Sequence, residues 1–216
     1  MSKKYNNIIF DIDGTLWNST DIVAKAWIES AKAMELPYEH ISGERLSKEF
    51  GKPMNEIFDS LFPGKITDDI LEKVSRDFYE REHDFLERNE SDISYKDMVK
   101  TIKELSKTKK LYIVSNCQCG YIDLVCRKCN ISEFFKDSLC FGDTNTPKHE
   151  TIKTLMKRNN ISTDDTCYVG DTMGDCNSSH LAGIDFILAD WGFGDVTGAE
   201  HTVKSFNELY DLLIDK

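Results

Sequence analysis

The run Ile8-Ile9-Phe10 passes directly into Asp11-Ile12-Asp13-Gly14-Thr15-Leu16, and few folds accommodate such a transition. Three bulky apolar residues in succession read as a short strand buried on both faces, the pattern of a parallel sheet covered by helices. The strand stops at two carboxylates, a glycine and a hydroxyl. Residues two apart on extended backbone point the same way, so Asp11 and Asp13 face a common site. In parallel α/β sheets such sites lie just outside the carboxyl ends of the strands. Gly14 lets the chain turn away where a side chain would clash. Two acids held together repel unless a cation or a shared proton compensates. The pair therefore needs a partner elsewhere in the chain.

Further along, the pattern changes twice. From Trp17 to about Asn89 it is helical throughout. Val23, Trp27 and Met34 recur at near-helical spacing, and Ser42–Phe50 and Met54–Leu61 read as short helices split by Gly51-Lys52-Pro53. A longer helix from Asp68 towards Arg88 carries Leu71, Val74, Phe78 and Phe85 on one stripe. From Tyr95 onward helices alternate with apolar runs. Tyr95, Val99 and Ile102 mark a helix face. Leu111–Val114 forms a strand ending at Ser115-Asn116, Ser138–Phe141 a short strand, Thr166–Val169 a strand ending at Gly170-Asp171, and Phe186–Ala189 one more. Ser205 and Glu208 form a capping-box pattern before a last helix. Strands separated by helices imply a doubly wound parallel sheet, a Rossmann-like α/β core. The expected division is a core of residues 1–16 and 90–216 with an inserted all-helical cap of residues 17–89.

Three strand ends then carry chemistry: Asp11/Asp13, Ser115/Asn116, and Asp171 with Asp175 four residues on. If these strands are parallel neighbours, all three meet at one edge. Asp11, Asp171 and Asp175 would bring together too much negative charge without a cation, and hard oxygen donors of this kind suit Mg2+. The net charge of −11 argues against nucleic acid or an anionic membrane as a main partner. It leaves room for a small phosphorylated metabolite, because a bound cation reverses the sign of a pocket. No apolar run approaches a membrane span, and the amino terminus Met-Ser-Lys-Lys-Tyr-Asn-Asn lacks a secretory signal. A cytoplasmic protein is expected.

The sequence resembles the haloacid dehalogenase superfamily. Phosphatases of that superfamily carry Asp-x-Asp-Gly-Thr after the first strand, then a Ser or Thr, a Lys, and an acidic Gly-Asp-x-x-x-Asp. Asp11–Thr15, Ser115, Lys148 and Gly170–Asp175 match these in order. The resemblance spans essentially the whole chain, and a helical cap between the first and second motifs is similar to that of the phosphoglycolate phosphatase-like subgroup. It implies that Asp11 attacks phosphorus and forms an aspartyl-phosphate. Asp13 then serves as general acid and base. Asp11, Asp171, the Asp13 carbonyl and Asp175 hold magnesium. Ser115, with the backbone beside Asn116, and Lys148 stabilise the transferring oxygens. Relatives often use a cap loop such as Gly51-Lys52-Pro53 against the leaving group, which makes Lys52 a candidate for specificity.

Other readings of the same residues compete. A phosphomutase of the β-phosphoglucomutase type shares every one of these motifs, and phosphate release against isomer formation separates the two. A non-catalytic binding module retaining the fold would have no physical need for a full set of mutually repulsive acids. Asp11–Gly14 lacks the remaining ligands of a calcium loop. Cys117-x-Cys119 and Cys126-x-x-Cys129 do not have the spacing of paired zinc knuckles, so the seven cysteines are expected as free thiols. His40, His83, His180 and His201 are expected at the surface.

Overall fold

The structure is a computed structural model and describes residues 4–214. Met1–Lys3, part of the amino terminus read for targeting, lie outside the described residues. In chain order, β1 (Asn7–Phe10) is followed by α1 (Thr20–Ala33), α2 (Gly43–Ser47), α3 (Met54–Leu61) and α4 (Asp68–Arg88). Next come α5 (Met98–Leu105), β2 (Lys110–Ser115), α6 (Tyr121–Lys128), β3 (Phe135–Cys140), α7 (Phe141–Thr144) and α8 (Lys148–Asn159). The chain continues through β4 (Thr166–Gly170), α9 (Met173–Ala182), β5 (Asp185–Ala189), β6 (His201–Val203) and α10 (Phe206–Leu213).

The strands form one parallel sheet in the order β3-β2-β1-β4-β5-β6. The apolar first strand takes a central place because every residue of Asn7–Phe10 is buried. Phe10 is level with Ile113 of β2 and with Val169 of β4. Asp11, Ser115 and Asp171 therefore leave the sheet at the same edge. With β2 on one side of β1 and β4 on the other, connections diverge there, and a parallel sheet opens a crevice at such a point. One core layer joins Ile9, Tyr112, Val114, Tyr168, Phe186 and Leu188 of the sheet to Ile152, Leu155 and Met156 of α8. Each such side chain contributes roughly 1.5–3 kcal/mol on burial. No helix among the described residues is long and apolar enough to cross a membrane.

The chain divides into two compact units, one comprising residues up to Trp17 and from Ser94 onward, the other Asn18–Ile93. The second unit packs α1 against α4. At its centre Trp27, Phe58, Phe62 and Phe78 meet edge-on or tilted, with centroids 5.0–6.2 Å apart. The buried Trp27 indole donates to Glu82 Oε2 at 2.8 Å, so its polar edge is satisfied inside the aromatic cluster.

Several local expectations need correction. Tyr95 precedes α5 rather than lying on it: its amide donates to the Leu16 carbonyl at 3.1 Å, and Asp97, at φ 64°, starts the helix. The third strand runs Phe135–Cys140, with Phe141 already in the next helix. β6, only His-Thr-Val, has too short and too polar a pattern to be read as a strand. Ser205 accepts the Glu208 amide at 3.2 Å, but the Glu208 carboxylate reaches the Lys204 amide, so the capping box is half made. His83 is half-buried with its Nδ1 enclosed.

Candidate active site

β1 ends by delivering Asp11 into a buried position, 2% exposed, at the crevice. Its Oδ1 accepts from Lys148 Nζ at 3.0 Å and from the Tyr168 hydroxyl at 3.3 Å. Lys148 is the first residue of α8, introduced by Pro147, which is well suited to starting a helix. The same ammonium donates to Asp175 Oδ1 at 2.5 Å. Asp175 is held by its own helix start: Thr172 caps α9, accepts the Asp175 amide, and donates through its hydroxyl to Asp175 Oδ2 at 2.6 Å. Such a box contributes about 1 kcal/mol, and here it also aims Oδ1 at Lys148.

Asp171, fully buried, leaves β4 at the same edge. It accepts from the Thr15 hydroxyl at 3.3 Å and from the Phe193 amide at 2.7 Å. Glycines make room for it. A Cβ on Gly14, where φ is +84°, would fall 2.1 Å from Asp171 Oδ2, and one on Gly192 would fall 2.2 Å from Asp171 Cβ. One carboxylate oxygen from each of Asp11, Asp171 and Asp175 lies within 4.8 Å of the others.

The charges do not balance. Three buried carboxylates face one ammonium, so full ionisation would leave two net negative charges in a buried pocket. Burial pushes the Asp11 carboxyl up to about 7; Lys148 opposes this, and Asp175 and Asp13 add to it. Burial, then Asp175 and Asp11, also push Asp171 well above the usual carboxylate range. Burial alone would lower Lys148, but Asp11 and Asp175 outweigh it and hold the amine above its ordinary value. An all-oxygen donor set carrying excess negative charge fits a hard divalent cation.

Asp13 is placed differently. Its Oδ1 accepts from the Trp17 indole at 3.0 Å and from the Tyr121 hydroxyl at 2.8 Å. The two rings meet nearly at right angles, centroids 5.9 Å apart. Tyr121, a residue that sequence reasoning missed, comes from the first turn of α6 and lies 108 positions away. Tyr168 and the Phe193 amide were likewise not legible as contacts of Asp11 and Asp171. Removing a group that orients a reactive one costs about 10-fold in activity. If Asp13 is the general acid and base that the family resemblance implies, Tyr121→Phe is expected to lower kcat about 10-fold and shift the pH–rate profile, with KM little changed.

Ser115 is buried at the end of β2, and the half-buried Asn116 follows it. Lys52 belongs to the helical unit, in the turn between α2 and α3, where its ammonium lies 2.7 Å from Glu49 Oε2. Glu49 is buried; although burial opposes it, Lys52, Ser60 and Arg45 hold its carboxyl below the ordinary value.

Residues 8–189 match the family model described as haloacid dehalogenase-like hydrolase. Among curated proteins, the chain is 26% identical to a pyrophosphatase PpaX of Anoxybacillus flavithermus over 198 residues, 91% of this chain and 87% of that one. It is also 26% identical to a phosphoglycolate phosphatase of Aquifex aeolicus over 190 residues, 86% and 85% of the two chains. A haloacid dehalogenase-like hydrolase of Streptococcus pneumoniae has the same fold, with a TM-score of 0.83 over 98% of this chain and 99% of that one at 18% identity. A HAD-hydrolase of Bacillus subtilis, described as bound to magnesium, gives 0.72 over 98% and 99% at 22% identity. With the family model spanning most of its length, the chain belongs to the haloacid dehalogenase-like hydrolases.

Proposed function

We propose that the chain hydrolyses small phosphate monoesters in the presence of Mg2+, by way of an aspartyl-phosphate on Asp11. The observation that carries this reading is the Asp11 carboxylate, buried between Lys148 and two further acids and followed two residues later by an acid held by separate donors. Two carboxylates in unlike surroundings are suited to unlike tasks. Asp11 attacks phosphorus, which divides one difficult displacement into two easier ones. Asp13, steadied by Trp17 and Tyr121, gives a proton to the leaving oxygen and later takes one from the attacking water. Lys148 and Ser115 hold the transferring oxygens, with the backbone at Asn116 beside them. Asp11, Asp171, the Asp13 carbonyl and Asp175 are the groups that would hold magnesium, which when bound offsets the repulsion between a carboxylate and a phosphoryl group.

Two relatives, by name, differ in the leaving group and share the transferred phosphoryl group. The substrate panel therefore includes pyrophosphate, phosphoglycolate, sugar phosphates and a chromogenic ester. Chelation is expected to reduce phosphate release at least about 100-fold, and added Mg2+ to restore it. Undiminished turnover after chelation would overturn the metal assignment, and isomer formation without phosphate release would favour the mutase.

A cytoplasmic setting, where thiols stay reduced, suits the seven cysteines.

A further inference from the structure

Beyond the carboxylate site, a second group of metal-ligating side chains comes together from segments the sequence keeps apart. Cys119 lies in the loop between β2 and α6, Cys140 ends β3, and Asp143 lies in the short α7. The Cys119 thiol approaches Asp143 Oδ1 at 3.5 Å, and the Cys140 thiol approaches Oδ2 of the same carboxylate at 3.1 Å. One ligand atom from each residue lies within 4.8 Å of the others. A third thiol, Cys117, is hydrogen-bonded to that of Cys140.

The backbone is built closely around this group. The Gly142 amide donates to the Cys117 carbonyl at 3.1 Å, and the Cys140 amide donates to Asp143 Oδ2 at 2.8 Å. A Cβ on Gly142 would fall 2.5 Å from the Cys119 nitrogen, so α7 meets the loop where only glycine fits. Cys140 is buried, Cys119 is exposed, and Cys140 and Asp143 line an open cavity of about 370 Å³ with Ser138 and Arg158. Ligands, second-layer hydrogen bonds and an entry path are all present.

We propose that Cys119, Cys140 and Asp143, with Cys117 alongside, form a binding site for a thiophilic divalent cation of the zinc and cadmium class. Two thiols and a carboxylate carry one net negative charge. Exchanging the two thiol protons for one divalent ion leaves that charge unchanged and releases two protons to solvent. Sulfur ligands select such an ion over magnesium, so this site and the carboxylate site would take different metals. The bound ion would fasten the loop following Ser115 to α7.

The test adds Cd2+ to the reduced protein in excess Mg2+, and reads thiolate-to-cadmium charge-transfer absorption, which carboxylates do not produce. The expected result is one equivalent bound, with two or three thiols protected from a thiol reagent and all seven recovered after chelation and unfolding. Cys119→Ser, at an exposed position, and the near-isosteric Asp143→Asn should each weaken binding at least about tenfold. Cys126→Ser/Cys129→Ser should bind as the unsubstituted protein does. Absence of the absorption, or its loss only in Cys126→Ser/Cys129→Ser, would overturn the proposal. Thiol loss recovered only by a reductant would assign the cluster to disulfide formation instead and overturn it equally.

Discussion

Asp11→Asn protein is expected to fold, bind magnesium more weakly, and release phosphate on the order of 10⁴-fold more slowly than the unsubstituted enzyme, or slower still. On the proposed mechanism, the amide is nearly the same shape but cannot supply the attacking oxygen or the negative charge. Its effect on stability should have the opposite sign. Asp11 is buried beside Asp175 and Asp13, and its carboxyl is raised to about 7. An unfolded aspartate titrates near ~4, so without metal the native state holds the extra proton between those values. On this account the metal-free protein gains stability as pH falls from about 7 towards about 4, and above about 7 it carries the full penalty of the ionised group. The amide removes that penalty. Thermal unfolding in chelator at pH 8 should therefore occur several degrees higher in Asp11→Asn than in the parent, at roughly 2–4 °C per kcal/mol. Slow turnover without a rise in the midpoint would refute the electrostatic account while leaving the catalytic one standing. Undiminished turnover would refute the catalytic one.

Lys148→Met is expected to damage both properties at once. The ammonium bridges Asp11 and Asp175 at 3.0 and 2.5 Å with all three side chains buried. Truncating one member of a buried ion pair costs about 3–5 kcal/mol, because the remaining charge is left uncompensated. At 2–4 °C per kcal/mol the midpoint should drop by about 10 °C in chelator. Magnesium should recover part of the loss, since a bound cation takes over some of the compensation. On the proposed role of Lys148, activity should fall at least about 100-fold at saturating metal through loss of transition-state stabilisation. Lys148→Arg should not rescue it, because the planar guanidinium cannot occupy the same point between two carboxylates. A midpoint unchanged in chelator would show that the three acids are compensated by something other than Lys148.

These two expectations rest on different levels of the molecule. The alternation of apolar runs and helical stripes was enough to predict a parallel α/β core, because strand and helix periods are local properties. That Asp11, Ser115 and Asp171 leave the sheet at one edge followed from each ending a strand in a parallel arrangement. Boundaries were less legible. Tyr95 and Phe141 changed element because caps and backbone conformation, not apolar spacing, decide where an element starts. β6 escaped notice because three mixed residues carry no pattern and are ordered by pairing with β5.

Taken alone, the order of residues determined the sheet, its flanking helices and the acids at the strand ends, since each is written in neighbours a few positions apart. Only the tertiary structure decided what surrounds those acids. Tyr121 reaches Asp13 across 108 positions, Tyr168 reaches Asp11 across 157, and Phe193 reaches Asp171 across 22. Cys119 and Cys140 meet on Asp143 only because β3 lies beside β2 and brings its last residue to the same edge. Spacing along the chain encodes which face of its own element a side chain occupies. Which distant side chain it meets depends on how the elements pack, and that is decided by burial of the core as a whole.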